Sequence, residues 1–418
     1  MLPAGSPLSA WLEWLETLHP EEIELGLERV RAVLERLDLT LPEHILLIAG
    51  TNGKGSSVAM ASALLSAAGY RVGAYTSPHI VDYNERVAVA TDSDVGARLA
   101  GDKEIIAAFE KIEAARNGVP LTYFEYGTLA AFVVFAAAEL DVWILEVGMG
   151  GRLDATNVVD PTGVLITNVA LDHCDWLGDD VETIAAEKAG VMRAGVPVVF
   201  GADDAPEAII AHANATGAQL LLRGRDFSSK GVPRPGLAGD VQRDNAAAVL
   251  ALLDAAGLGK ATEEALVASV LPTVTLAARG QRAELDGVEW LLDVAHNPAA
   301  AEVLARTLGD GARGGKTIAV IAALGDKDIE GLVGPLDAHV DLWIAVTADS
   351  HRAIPAGELA RRIANACNRH CLVAATLDEA LTEARREANE GGRVLVTGSF
   401  YIVGPVLQQL GLYSRPQS

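Results

Sequence analysis

The segment HILLIAGTNGKGSS, residues 44–57, passes without a break from an apolar strand through Gly50, Gly53 and Gly55 into an Ala-rich helical stretch. A strand that feeds straight into a helix is half of a βα unit, and such units bury both strand faces only inside a parallel sheet covered by helices. The rest of the chain repeats that unit. Short runs rich in Val, Ile and Leu predict strands at 44–49, 72–75, 142–147, 164–168 and 196–200, and Ala-rich amphipathic segments predict helices at 56–68, 102–115, 128–138 and 181–192. A second strand series follows at 290–294, 317–321, 342–346 and 393–397. Between the series, residues 227–239 carry Ser228, Ser229, Gly231, Pro233, Pro235 and Gly236 and read as a loop, after which 244–256 resume a helical pattern. The fold class is α/β. We expect an N-terminal P-loop domain with a mostly parallel sheet over residues 1–280, and a smaller Rossmann-like domain over 281–418.

Charge narrows the partners. Lys and Arg number 33 against 56 Asp and Glu, a formal charge of −23. A chain that tracks nucleic-acid backbones carries a basic face, and no stretch here gathers Lys or Arg in that way, so no nucleic-acid partner is expected. Small anions remain open, because a pocket can be locally positive. The apolar run around residues 130–138 is closed by Glu139 and Asp141, well short of the about 20 residues that span a bilayer, so no membrane partner is expected. The first residues, MLPAGSPLSAWLEWLE, lack the basic and apolar regions of a secretory signal, which points to the cytoplasm. Cys174, Cys367 and Cys371 are too few and too scattered for a disulfide framework, and Cys367 and Cys371 flank His370 without the second ligand pair that a zinc site needs.

The glycine-rich turn suits phosphate. Glycines let successive N–H groups point inward, the helix N-terminus adds partial positive charge, and Lys54 supplies a cation for the β and γ phosphates, with Ser56 available to Mg²⁺. The spacing departs from GxxxxGK[ST]: Ile48 takes the place of the first glycine and Gly55 separates Lys54 from Ser56. Ligands of wound sheets sit beyond the carboxyl ends of strands. There the chain offers Ser77 in TSPH, Glu146 in EVGMGGRLDATN and His173 in NVALDHCDWLG, a sparse oxygen and nitrogen set of the kind that holds Mg²⁺ on ATP.

These strings, with LGLERV at 25–30, GTNGKGS at 50–56, TYFE at 122–125, EKAGV at 187–191 and DVAHNP at 293–298, resemble the bifunctional dihydrofolate synthase/folylpolyglutamate synthase family within the Mur ligase superfamily. They occur in the family's order along nearly the whole chain. The resemblance implies an ATP-dependent ligase that phosphorylates a pteroate or folate carboxylate and couples it to the amino group of L-glutamate. Its partners would be ATP, L-glutamate, 7,8-dihydropteroate and reduced folates, its cofactor two Mg²⁺, and its state a monomer.

By the same resemblance Thr51, Asn52, Gly53, Lys54, Gly55 and Ser56 bind the ATP phosphates. Ser77 and Glu146 hold one metal and His173 a second, and Lys188 is carried as a carbamate; read on its own, Lys188 is a helix-surface charge. Asn245, Asp293 and Arg279, or its neighbour Arg282, serve the nucleoside. The pteroate side falls to Leu25, Gly26, Leu27 and Glu28, to Thr122, Tyr123, Phe124 and Glu125, and to Leu153, Asp154 and Ala155. Ser350, His351, Arg352 and Ala353, with Gly398, Ser399 and Phe400, resemble family segments near the glutamate site. Cys174 stands where the family commonly has Thr, and Ala278 where it has a linker Gly. A chain-extending synthase acting only on tetrahydrofolates and a Mur-type peptidoglycan ligase are the alternatives. The second usually carries an additional N-terminal domain, whereas about 40 residues precede the loop here.

Overall fold

The computed structural model describes residues 5–19, 24–91, 97–310 and 314–413. The first sheet contains β1 (His44–Ala49), β2 (Val72–Tyr75), β3 (Val87–Ala90), β4 (Arg98–Leu99), β5 (Val142–Glu146), β6 (Gly163–Ile166), β7 (Pro197–Phe200) and β8 (Gln219–Leu222), in the order β4-β3-β2-β5-β1-β6-β7-β8. Strands from β2 through β8 in that order pair in parallel, and the β2–β3 and β3–β4 pairs are antiparallel. Alternation decides what each face meets. Ile45 and Leu47 of β1 join Tyr75, Trp143 and Leu145 in one core, whereas Leu46 and Ile48 join Val58, Leu64 and Leu65 of the helix Lys54–Ala67 in another.

The second sheet contains β9 (Gln281–Leu285), β10 (Val288–Leu292), β11 (Thr317–Ile321), β12 (Leu342–Ala345), β13 (Cys371–Val373) and β14 (Arg393–Thr397), ordered β13-β12-β11-β14-β10-β9 with only β9 antiparallel. The expected α/β architecture therefore stands, with a mostly parallel first sheet and a smaller second one. Strands β3, β4, β8, β9 and β13 fall outside the runs read from sequence. All sit at or next to a sheet edge, where one side loses its apolar demand: β9 alternates between half-buried and exposed positions.

Several boundaries shift by one to five residues, and at two of them the contacts show why. The helix expected at 128–138 begins at Tyr123, because Thr122 Oγ1 accepts the Glu125 N–H and Glu125 Oε2 accepts the Thr122 N–H, a reciprocal cap at 3.2 and 2.8 Å. The strand expected to run to Asn168 ends at Ile166, because Thr167 and Asn168 turn their side chains to the glycine loop. No described helix is long and apolar enough to cross a membrane.

Candidate active site

Strand β1 lies where the connections reverse direction, since the chain moves from it to β2 on one side and later to β6 on the other. That switch point opens a crevice at the carboxyl ends. The loop that fills it is tightly built. Gly50 has φ 138° and a Cβ there would run into the Thr167 hydroxyl; Gly53 has φ 86° and a Cβ would lie 3.0 Å from the Asn245 amide. Thr51 and Asn52 spend their backbone N–H groups on Asn168, both at 3.0 Å, and Thr167 Oγ1 donates to Asn52 O at 2.6 Å. These two residues brace the loop. The N–H groups left over for an anion are those at the start of the helix Lys54–Ala67, which have no carbonyl one turn back. Ser56 is buried on the inner side of that helix.

A cavity of about 260 Å³ covers the loop, walled by Gly50 to Gly55, Ser77, Glu146, His173, Lys188 and Arg279, and by His296, Asp326, Lys327, Arg352 and Tyr401 from the second sheet. Its charges fall into two groups: Asp172, Asp326, Lys327 and Arg352 are ion-paired with one another, whereas Lys54, Glu146 and Lys188 meet main-chain groups. Lys54 Nζ donates to Gly50 O and Thr51 O at 3.1 Å, and burial lowers the ammonium against the pull of Glu146 and Asp172. Glu146, at the end of β5, is buried and among the described residues accepts one hydrogen bond, from Ser77 N–H at 3.2 Å. Burial pushes its carboxyl upward, opposed by Lys54 and Arg279. Lys188, read from sequence as a surface charge, is instead buried at 4% exposure, because Gly190 and Gly151 let its helix end close onto the β5 loop. Its Nζ donates to Gly50 O at 3.1 Å, and burial, with Lys54 nearby, pulls its pKa down to about 7.

The metal reading has a definite fit. Among the described residues no group of three His, Cys, Asp or Glu gathers into a cage. One under-satisfied carboxylate beside a serine suits an ion that keeps waters and phosphate oxygens as its remaining ligands. His173 sits at φ 53° on the cavity wall, and burial, with Lys327, His296 and Lys54, brings its imidazole down to about 4 against Asp172, leaving it neutral.

Arg279 settles beside Gly55 and Glu146 with its guanidinium 5.4 Å from the Phe400 ring, whereas Arg282 is engaged elsewhere by Glu289 at 2.8 Å and Thr307 O at 3.1 Å. Asp293 follows β10 and accepts Gly280 N–H at 2.7 Å and Ala295 N–H at 2.8 Å, fixing the turn that carries Arg279. Arg352 reaches Asp326 at 3.2 Å, and His351 is exposed outside the cavity.

The three segments expected on the pteroate side come together outside this cavity. Gly26 N–H donates to Leu153 O at 3.3 Å, and Arg29, just beyond Glu28, binds Glu125 at 3.0 and 3.2 Å. Leu25 and Leu27 are half-buried, Glu28 is exposed and Ala155 is in the core. Tyr123 packs on Tyr83 with centroids 6.0 Å apart, and Phe124 fills the space that Gly148 leaves open. Asp154 is consumed by the loop itself, accepting from Met149 N, Thr156 N and Thr156 Oγ1.

Asp172 and Lys327 also line the cavity, and Asn297 touches the loop through Asn52; sequence reasoning does not single these three out. Asp172 and Asn297 lie inside the strings NVALDHCDWLG and DVAHNP, and the strand-end rule applied to β11 finds Asp326 and Lys327.

The Mur ligase middle domain matches residues 48–230, and the Mur ligase, glutamate ligase domain matches residues 278–400. The dihydrofolate synthase/folylpolyglutamate synthase of Escherichia coli K12 is 40% identical over 97% of this chain and 96% of its own length, and that of Bacillus subtilis is 33% identical over 93% and 95%. Among solved structures, Escherichia coli FolC in complex with DHPP and ADP superposes with a TM-score of 0.91 at 38% identity, covering 99% of each chain. The bifunctional synthase from Yersinia pestis complexed with AMPPNP and Mn ion gives 0.88 at 40% identity over 98% of this chain and 100% of that one. With two matched domains and relatives alike from end to end, the chain belongs to the dihydrofolate synthase/folylpolyglutamate synthase family of Mur-type ligases.

Proposed function

We propose that this chain is an ATP-dependent ligase that makes dihydrofolate from 7,8-dihydropteroate and L-glutamate and then lengthens folate polyglutamates. One observation carries the reading: singly placed charges, Lys54, Glu146, Lys188 and Arg279, converge on a phosphate loop in a cavity walled by both sheets. A pteroate carboxylate oxygen attacks the γ-phosphorus and ADP leaves. The glutamate nitrogen then adds to the acyl carbonyl carbon, loses a proton, and the intermediate collapses to the amide with release of inorganic phosphate. Both partners of the first step are anions, so Lys54, Arg279 and the helix N–H groups must offset their repulsion. Ser77 and Glu146 would hold one divalent ion and His173, with a carbamate on Lys188, a second; such ions supply charge neutralisation at the phosphate oxygens.

Asn245, Arg279 and Asp293 are assigned to the nucleoside, and the segments 25–28, 122–125 and 153–155 to the pteroate. Residues 1–280 form the domain for ATP and pteroate, and 281–418 that which adds ATP and glutamate contacts. Both walls of the cavity come from one chain, in keeping with a monomer, and first residues unlike a secretory signal support the cytoplasm as the site of action. The test is glutamate-dependent phosphate release with 7,8-dihydropteroate, a tetrahydrofolate monoglutamate and a UDP-muramoyl peptide as acceptors. Turnover with both pteridines is expected; turnover with the muramoyl peptide alone would overturn the reading.

A further inference from the structure

Asp172 follows β6, and three side chains from beyond β10 and β11 converge on it: Lys327 Nζ at 2.7 Å, Asn297 Nδ2 at 3.0 Å and His296 Nε2 at 3.5 Å. Asn297 also exchanges a reciprocal pair of amide hydrogen bonds with Asn52 in the phosphate loop, at 3.1 and 3.0 Å. Its Oδ1 accepts a further bond from Ala300 N–H at 2.9 Å, at the start of the helix Pro298–Asp310. The two donor hydrogens and two acceptor lone pairs of a side-chain amide are then all in use. At 2% exposure such an amide has one orientation, and rotating it leaves buried polar groups unpaired. Its partners lie on two different loops of the first sheet. One is the phosphate loop; the other leads through Asp172, whose Oδ1 accepts the His173 N–H at 3.0 Å, into the candidate metal ligand.

We propose that Asn297 is a positioning residue that makes the alignment of the phosphate loop and of His173 depend on the seating of the second sheet, so that the acyl phosphate forms only in a shut cleft. The inference rests on the ligase reading above. Its chemical consequence is coupling. Water adding to the acyl carbonyl carbon breaks the carbon–oxygen bond to phosphate, restores the carboxylate and releases inorganic phosphate, so each opening of the cleft at that stage wastes one ATP. The latch is built of neutral amides on the loop side, which the charge change from ATP to ADP does not repel, and of an ion pair on the Asp172 side.

The experiment measures ADP released per amide formed in the full-length protein with glutamate and whichever pteroate acceptor it turns over. The intact protein should give about one. Asn297→Ala and Asn52→Ala should each raise the ratio about threefold and lower kcat about tenfold, with the acceptor KM changed by less than about twofold, and the double variant should be no worse than either single one. Asn52→Ala leaves the Asn297 bonds to Ala300 and Asp172 in place, so it carries the test if the buried variant does not fold. A ratio that stays near one in Asn52→Ala, or losses that multiply in the double variant, would overturn the latch. Absence of glutamate-dependent phosphate release in the intact protein would instead sink the ligase reading itself.

Discussion

Glu146 and Asp154 share one strand-end loop, both are buried, and burial pushes both carboxyls upward. Their surroundings differ. Asp154 accepts from Met149 N–H at 2.9 Å, Thr156 N–H at 3.0 Å and Thr156 Oγ1 at 2.6 Å, whereas Glu146 accepts from Ser77 N–H alone among the described residues. The lysines divide the same way. Among the described residues Lys54 and Lys188 donate only to main-chain carbonyls of the glycine loop, but Lys327 lies between Asp172 at 2.7 Å and Asp326 at 3.3 Å. A saturated buried charge holds a shape, and an under-satisfied one costs stability unless a ligand completes it. The phosphate-loop mouth is therefore built for ligands, and the loop behind it for rigidity.

The largest effect should come from breaking this contrast at the mouth. Glu146→Gln is expected to lower kcat by about a thousandfold or more while leaving the folded state no less stable. The sign follows from burial: the folded carboxyl keeps its proton to higher pH than the unfolded one, so the ionised group weighs against folding once pH exceeds the ordinary carboxylate range. Denaturant midpoints at pH 7 beside steady-state rates check both halves. Asp154→Ala should split the other way, losing about 2–3 kcal/mol of stability through three unmade hydrogen bonds, with a smaller loss of kcat in the fraction that remains folded.

Lys188→Met sharpens the comparison through pH. Between about pH 7 and 10.5 the unfolded chain holds the lysine proton that the folded chain has released, so in CO₂-free buffer this group makes stability rise with pH. Thermal melts across that window should show the slope in the intact protein and its loss in Lys188→Met, and ¹³C-bicarbonate should give a carbamate resonance only with the lysine present. The smallest effect is expected at Ala278, a buried alanine at φ 59° just before Arg279. Ala278→Gly relieves left-handed strain but gives up a packed methyl and backbone order, so the unfolding free energy from denaturant titration should change by less than about 1 kcal/mol, with kcat unchanged.

Much of the fold and of the mouth is legible in the order of residues alone. The runs at β1, β11 and β14 coincide with their strands because central strands must be apolar on both faces. Strand-end position picks out Ser77 and Glu146, and the loop that follows β6 offers His173, because polar residues at the carboxyl end of a buried run have few other reasons to be there. What local pattern does not carry is pairing across distance. Nothing near Asn52 or Asn297 says that two amides 245 positions apart meet face to face, and the burial of Lys188 depends on glycines in a different segment. The early helix start at Tyr123 is readable, since Thr122 and Glu125 spell a capping box. The glutamate segment divides, with Arg352 on the cavity wall and His351 outside it, a distinction that adjacent residues in a loop do not carry in their sequence.

Every role proposed for the mouth residues depends on transfer of a phosphoryl group onto a carboxylate. That transfer is tested most directly with 7,8-dihydropteroate labelled with ¹⁸O in its carboxylate, turned over with ATP and L-glutamate. An acyl phosphate carries one substrate oxygen into the released phosphate, so the account predicts one ¹⁸O per inorganic phosphate formed. Amide formation with unlabelled phosphate would contradict it.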